Sequence, residues 1–319
     1  MTNKTYNLYF ISLFYAILIT YIIPWDIIYH GDFADITNYI NRIEYLHEGG
    51  DEGVHTGLSW IVSEPVWKYV IIGIGLFFDD YRLALYLVSI LIVFLYARFL
   101  FKRVDYYIGM IFLFNPMFID LVMAQIRSAF AFALLLWVYD LRSKTWKIII
   151  SIIAFLIHTS MPLFIIIYFL LQKLNNMVAS KKYYLITIFV AFFVALFIRY
   201  GVDALLAFLG DRRAGYDNII EGASISYSIV WFIIGLIVAT FATFEDEKQR
   251  IIAGYAITMT SFFFFSSLMG NFAQRFVALT MPLIIISVGY LPKHYKQGTY
   301  VLFFLYILLM FKYRLANVH

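Results

Sequence analysis

Long apolar segments follow one another along almost the whole chain, and this feature constrains the fold more than any other. Lipid offers no partner to an unpaired backbone N–H or C=O group, so apolar segments of this length are expected to be membrane helices. About eleven such segments can be recognised, at 6–24, 61–78, 83–101, 106–123, 128–140, 147–171, 183–200, 226–244, 250–269, 274–290 and 299–312. The sequence predicts an all-α polytopic membrane protein with about 9–11 transmembrane helices.

Composition supports the same conclusion. The chain is 63% hydrophobic and only 14% charged, whereas a typical soluble protein has about 25% charged residues. A water-soluble protein with so few charges could not cover its surface with polar groups. The segments follow one another without a linker, so we expect a single transmembrane domain over residues 1–319.

Two polar loops interrupt the apolar segments. The first, residues 25–60, is acidic, and its stretch 33–46 has helical apolar spacing. This spacing predicts an amphipathic helix lying on the membrane surface. The second loop spans residues 199–226. Both loops are expected on the extracytoplasmic side.

The distribution of Lys and Arg favours a fold in which two segments re-enter the membrane rather than cross it. If every segment crosses, with the N-terminus inside, more Lys and Arg fall outside than inside, which is opposite to the usual bias. The usual bias returns if 61–78 and 147–171 go back to the side they came from, broken at Gly73/Gly75 and at Pro162. A bundle in which all segments cross remains the alternative.

Several kinds of chemistry have no support in the sequence. There is no cysteine, which excludes disulfides, Cys-ligated zinc, iron–sulfur clusters and thiol nucleophiles. There is also no P-loop, no GxGxxG glycine motif and no HExxH motif. We therefore expect no cofactor and no metal.

The few charged residues in or beside apolar segments need an explanation, because a charge at the centre of a membrane helix costs about 2.5–3.5 kcal/mol. Arg127 stands at the head of an apolar segment, where it could bind an anion beside a helix N-terminus or simply reach the membrane interface. His158 lies inside an apolar run, next to Thr159, Ser160 and Pro162. It is either a hydrogen-bonded core residue or a general base or phosphate partner.

Weaker candidates lie near segment ends or in the two loops. Glu64 precedes a segment and could be a helix-start carboxylate or an acid/base group, and Arg275 lies in a short polar break between two apolar runs. The loops add Asp32 and Asp35, and then Arg212, Arg213 and Tyr216. Solvated surface residues are the simpler interpretation of those five. Taken together, Arg residues, one His and carboxylates on one membrane face suit a substrate that is anionic at one end and polyhydroxylated at the other.

The order and spacing of these residues resemble the EpsG/Wzy-type family of bacterial polysaccharide polymerases over most of the chain. The strongest part of the resemblance is Asn115-Pro116, then Arg127 before a small-residue helix, a basic loop at 142–147, and His158 before small polar residues.

Other parts of the pattern are shorter. Glu64 before an apolar segment and Arg275 in its polar break also resemble family features, and Arg212/Arg213 followed by Tyr216 does so more weakly. Ser128 is a departure, because Gln would be expected there in many members.

The resemblance implies a membrane glycosyltransferase of GT-C-like architecture. Such an enzyme polymerises undecaprenyl-pyrophosphate-linked oligosaccharide repeat units into O-antigen, capsule or exopolysaccharide, at the periplasmic or extracytoplasmic face of the bacterial plasma (inner) membrane. Its partners would be the lipid-linked oligosaccharide as both donor and acceptor, membrane lipid, a chain-length regulator and a flippase, with no nucleic acid.

The resemblance also implies roles for the candidates. Arg127 and Arg275 would bind the donor pyrophosphate, and His158 or Glu64 would activate the acceptor hydroxyl. The loop residues would bind substrate, namely Arg212, Arg213, Tyr216, Asp32 and Asp35. The alternatives are an O-antigen ligase or membrane acyltransferase, and a flippase or transporter for the same lipid.

Overall fold

A computed structural model of the protein describes residues 3–29, 31, 33–50, 58–178, 180–208, 225–271 and 273–316. Helices joined by short turns make up this described part, and the prediction of an all-α polytopic membrane protein is confirmed. The residues cluster in two compact units, Met1–Pro162 with Leu309–His319, and Leu163–Leu308.

The helices of the first unit come from the first half of the chain. They are α1 (Asn3–Ile17, continued by a π-helical turn, Leu18–Ile22), α2 (Trp25–Ile28), α3 (Ala34–His47), α4 (Leu58–Val62), α5 (Pro65–Phe77), α6 (Tyr81–Phe101), α7 (Tyr106–Leu113), α8 (Pro116–Met123), α9 (Ile126–Asp140) and α10 (Lys144–Ile157).

The remaining helices belong wholly or mostly to the second unit. They are α11 (Met161–Met177), α12 (Ser180–Tyr200), α13 (Val202–Phe208), α14 (Ile225–Phe241), α15 (Glu247–Leu268), α16 (Gln274–Gly289) and α17 (Lys293–Ala316). The last turns of α17, from Leu309 onward, cluster with the first unit.

Among the described residues, five helices are long and apolar enough to cross a membrane. These are Thr5–Ile22, Tyr81–Phe101, Lys182–Tyr200, Glu247–Leu268 and Lys293–Leu315. The bent pair α7 and α8 would make a sixth, and α5, α11, α14 and α16 are shorter apolar helices. The total number of crossings stays a prediction.

Segment 106–123 is not the single straight helix that its composition predicts. It breaks between Leu113 and Pro116, and the two halves are bent by 74°. Pro116 has no N–H and disfavours helical backbone at the residue before it. The Asn115 side chain then caps the new helix by accepting a hydrogen bond from the Met117 N–H at 2.9 Å. An Asn-Pro pair thus ends one helix and starts the next.

The two predicted helix breaks have different outcomes. The break near Pro162 is confirmed, because α10 ends at Ile157 and α11 begins at Met161. The break at Gly73/Gly75 is wrong, because α5 runs through both glycines to Phe77. In an apolar segment the backbone groups must bond within the helix, which favours its continuation through the glycines. Gly75 also gives room for the close approach of α3, since a Cβ there would lie 3.3 Å from Ile43 Cγ2.

In the first unit, α6 is the central helix. It packs against α1, α7, α8 and α9, and it also contacts α3 and α5. The amphipathic helix predicted in the first loop is present as α3, and it packs lengthwise along α5. Tyr39 meets Trp67 edge to face at 5.6 Å, and eight residues further along both helices Gly75 lies beside His47. The position of α3 at the membrane surface stays a prediction.

In the second unit, α15 is the central helix. It packs against α12, α14 and α16, and most of its side chains are buried. The buried hydroxyls of Thr258, Thr260 and Ser267 donate to carbonyls of the preceding turn, as Thr258 does to Gly254 at 2.8 Å. A hydroxyl bonded in this way needs no hydrogen-bond partner from a neighbouring helix. Gly235 of α14 lets that helix approach α15 closely, since a Cβ there would lie 3.9 Å from Ile257 Cα.

Candidate active site

Glu64 occupies an unusual backbone position between α4 and α5. Its φ of 59° and ψ of 57° are left-handed, and among the described residues it is the one non-glycine residue with positive φ. Such a conformation costs on the order of 1–3 kcal/mol and persists only where the surroundings hold it. Pro65 then starts α5, and the Glu64 side chain makes no capping bond to its own helix. The turn therefore directs the carboxylate away from α5.

The Glu64 carboxylate is buried, with only 4% of the residue exposed, and its Oε1 atom contacts the residues between α10 and α11. His158, the residue that ends α10, places its Nδ1 2.6 Å from Oε1. The Thr159 backbone N–H and hydroxyl donate to the same oxygen at 3.2 and 3.3 Å. Extended backbone at His158 (φ −151°, ψ 121°) turns the chain so that both residues reach Glu64.

The other carboxylate oxygen pairs with Arg127. The distance between Arg127 Nη1 and Glu64 Oε2 is 2.5 Å. Arg127 is the second residue of α9, and 22% of its side chain is exposed. A buried carboxylate is costly unless it is paired and hydrogen-bonded. Here the guanidinium supplies the opposite charge, while His158 and Thr159 supply hydrogen bonds.

These contacts assign the tautomer of His158. A carboxylate paired with a guanidinium is ionised, and an ionised carboxylate only accepts hydrogen bonds. His158 Nδ1 therefore carries the proton and donates it to Glu64 Oε1. In the neutral form of the imidazole, Nε2 on the far side of the ring is then the basic nitrogen.

The three side chains come from three helix ends inside the first unit. Glu64 and Arg127 stand at the starts of α5 and α9, and His158 stands at the end of α10. Helix starts carry partial positive charge, which adds to the charge of Arg127 and favours an anion nearby. Chemically, the arrangement can supply a base, an orienting carboxylate and an anion-binding group.

The structure brings together three of the four residues predicted to be catalytic: Glu64, Arg127 and His158. The fourth, Arg275, is the second residue of α16 in the second unit, after a turn in which Gly270 has a φ of 74°. Asp35 lies in the first turn of α3 and is partly exposed. The predictions for Asp32, Arg212, Arg213 and Tyr216 fall outside the described residues. The roles of all these residues stay predictions.

Sequence reasoning missed one side chain of the site. Thr159 was recognised only as a polar neighbour of His158, yet its N–H and hydroxyl both donate to Glu64. The signal was present in the sequence, because a hydroxyl residue beside a buried histidine is a ready donor to the same acceptor.

Two ion clusters of the first unit were also not predicted. Asp120 in α8 pairs with Arg314 near the end of α17, and the Arg314 guanidinium lies 4.5 Å from the centre of the Tyr29 ring. Asp140 at the end of α9 meets three basic side chains, Arg98, Lys102 and Arg103. Only the tertiary structure shows that these acidic and basic residues meet, because Asp120 and Arg314 are 194 positions apart and Arg103 and Asp140 are 37 positions apart.

Comparison with known protein families gives a match over most of the chain. A family model described as the EpsG family matches residues 8–318 and so includes every residue of the cluster around Glu64. No curated protein and no solved structure matches the chain.

Proposed function

Because the chain belongs to the EpsG family of polysaccharide polymerases, we propose that it joins lipid-linked oligosaccharide repeat units into a polysaccharide at the outer face of the bacterial plasma membrane. The donor is the growing chain on undecaprenyl pyrophosphate, and the acceptor is a sugar hydroxyl of the next lipid-linked unit. The observation that carries this proposal is the cluster of Glu64, Arg127 and His158 in a protein of membrane helices.

In the proposed reaction His158 is the general base. Its Nε2 takes the proton of the acceptor hydroxyl, and the hydroxyl oxygen forms the new glycosidic bond. The bond between the donor sugar and pyrophosphate breaks, and its electron pair leaves with the lipid pyrophosphate. Glu64 holds the imidazole in the required tautomer and stabilises the imidazolium, as the carboxylate of a Ser-His-Asp triad does. We therefore propose that Glu64 positions His158 and that His158, not Glu64, accepts the proton.

Arg127 is proposed to bind the donor pyrophosphate. A guanidinium has five N–H donors, and the contact of Arg127 with Glu64 uses Nη1. Arg pairs bidentately with phosphate oxygens and keeps its charge, so it can stabilise the charge that develops on the leaving group. Arg275 is proposed as a second pyrophosphate ligand, and Arg212, Arg213, Tyr216, Asp32 and Asp35 are proposed to bind substrate.

A direct test uses purified protein and a lipid-linked repeat unit, with the products read as a ladder on a gel. Arg127→Lys keeps a cation beside Glu64 but loses the forked geometry, so we expect a folded protein that makes polymer about 10²–10³-fold more slowly. Arg142→Ala removes an exposed Arg after α9 and is the matched control. It should leave the ladder unchanged.

Three outcomes would contradict the proposal. A full-length ladder at wild-type rate from Arg127→Lys and Arg127→Ala would remove Arg127 from the mechanism. Transport of a labelled lipid-linked unit without formation of any glycosidic bond would replace the polymerase with a flippase. Transfer of finished polymer to a different acceptor, with no ladder from repeat units, would indicate a ligase.

A further inference from the structure

An apolar groove runs between α1 and α6 in the first unit. Its volume is about 480 Å³. Aromatic and aliphatic side chains line it, including Tyr9, Phe10 and Leu13 from α1 and Leu87, Leu91 and Phe94 from α6. Five of these six side chains are exposed in the folded chain, and Phe10 is the most exposed at 72%. In a membrane a groove of this composition faces hydrocarbon.

A cluster with excess positive charge lies at the end of α6 beyond this groove. Asp140 is the one carboxylate in the cluster, and three basic groups surround it. Asp140 Oδ1 lies 2.5 Å from Arg103 Nη2 and 3.2 Å from Lys102 Nζ. Asp140 Oδ2 lies 3.8 Å from Arg98 Nη2. The cluster therefore has a formal excess of two positive charges. The Lys102 side chain is 52% exposed, so part of this charge faces outward.

Tyr9 connects the groove to the charged cluster. It lines the groove, and its hydroxyl accepts a hydrogen bond from Arg98 Nη1 at 3.2 Å. The Arg98 guanidinium also lies 5.5 Å from the centre of the Tyr9 ring. Arg98 follows Phe94, the last α6 residue of the groove, by one helical turn. The apolar groove thus ends at two basic side chains, those of Arg98 and Lys102.

We propose that this groove binds an anionic glycerophospholipid, with an acyl chain against α1 and α6 and the phosphate against Arg98 and Lys102. Basic pockets between membrane helices bind the head groups of anionic lipids, and each basic residue near an anionic membrane surface contributes about fivefold in affinity. Asp140 neutralises only one of the three basic groups, and the lipid phosphate offsets part of the remaining positive charge. The acyl chain covers apolar side chains between α1 and α6.

The lipid is a resident phospholipid and not the polymerase substrate. Arg127 and Asp140 lie at opposite ends of α9, thirteen residues apart, which corresponds to about 20 Å along a helix. A phosphate held beside Asp140 therefore lies far from the cluster of Glu64, Arg127 and His158. The positive-inside rule also favours the cytoplasmic leaflet for the end of the unit that carries Arg98, Lys102 and Arg103.

Native mass spectrometry tests the proposal. The full-length protein is placed in nanodiscs with equal amounts of phosphatidylglycerol and phosphatidylcholine, and the retained lipids are identified. The wild-type protein should retain phosphatidylglycerol in preference to phosphatidylcholine. The double variant Arg98→Gln/Lys102→Gln should lose up to about 30-fold of that preference, since each basic residue contributes about fivefold. Leu91→Trp, which fills the groove and keeps both charges, should also lower the retention.

The control also removes two positive charges, but in the second unit. Lys248→Gln/Lys293→Gln changes two exposed lysines of the second unit and should keep the wild-type preference. The proposal is overturned if the wild-type protein shows no preference for the anionic lipid, or if the Arg98/Lys102 variant retains it as well as the control does. Displacement of the bound phospholipid by a prenyl pyrophosphate would also overturn it, because the groove would then serve the substrate.

Discussion

At the scale of single residues, the stability of the site depends on one buried carboxylate. Glu64 accepts hydrogen bonds from His158 and Thr159 on one oxygen and pairs with Arg127 on the other. Removing one partner of a buried ion pair costs about 3–5 kcal/mol, because the remaining charge stays in a low-dielectric environment. In the proposed mechanism, activity and stability are therefore coupled at Glu64 and Arg127.

Glu64→Gln keeps the size of the side chain and removes its charge. Arg127 then loses its counter-ion, and the amide no longer fixes the His158 tautomer. We expect polymer formation to fall by about 10²–10⁴-fold, and the free energy of unfolding to fall by about 3–5 kcal/mol. The ladder assay measures the rate of polymer formation, and thermal unfolding in detergent measures the change in stability.

The matched control is Glu44→Gln, since Glu44 is an exposed residue of α3. Glu44→Gln should change neither the rate of polymer formation nor the stability measurably. Wild-type polymer from the Glu64 variant, at normal protein levels, would show that the carboxylate does not orient the base.

At the scale of helices, close packing in the second unit depends on residues without a side chain. A Cβ atom at Gly235 of α14 would overlap the hydroxyl of Thr260, which is fully buried in α15. Thr260 is branched at Cβ and its hydroxyl is bonded to its own helix, so it has little freedom to move away. The two helices would have to separate.

Gly235→Ala should therefore destabilise the protein by about 1–3 kcal/mol, the usual cost of adding a methyl group to a packed core. Gly298→Ala in α17 is the comparison, because nothing lies within 4 Å of its added Cβ. It should be neutral, or stabilising by up to about 1 kcal/mol through helix propensity. Thermal unfolding of both variants in the same detergent measures the difference. Equal stability of the two would contradict the packing between α14 and α15.

At the scale of the molecule, the contacts of the first unit limit its topology. The ends of α6 and α9 meet at Asp140, so they lie on the same side of the membrane. The start of α6 lies about 30 Å away along the helix, which matches the thickness of the hydrocarbon core. The chain has no cysteine, so single cysteines can report the side on which a residue lies.

Cysteines at Asp105 and Thr145, which are exposed residues after α6 and at the start of α10, should be labelled from one side. A cysteine at Asp79, exposed just before α6, should be labelled from the other side. A membrane-impermeant thiol reagent on whole cells and on inverted vesicles measures this. Labelling of Asp105→Cys and Asp79→Cys from the same side would show that α6 does not cross. Labelling of Thr145→Cys from outside would exclude the re-entrant topology.

The sequence by itself determined the membrane class, most of the helices, and which charged residues in apolar segments need a partner. The reason is local: in lipid each backbone group must find its partner within the same segment, so apolar composition and length suffice to predict a helix. Charges are expensive in such segments, so the few that occur, such as Arg127 and His158, are conspicuous.

The tertiary structure alone decided how those residues pair. Glu64 and His158 are 94 positions apart, and no periodicity in the sequence joins them. Packing also accompanies the continuation of α5 through Gly73 and Gly75, because Gly75 lies against Ile43 and His47 of α3. A local pattern identifies a charge that needs a partner, but the partner depends on which helix ends meet when the chain packs.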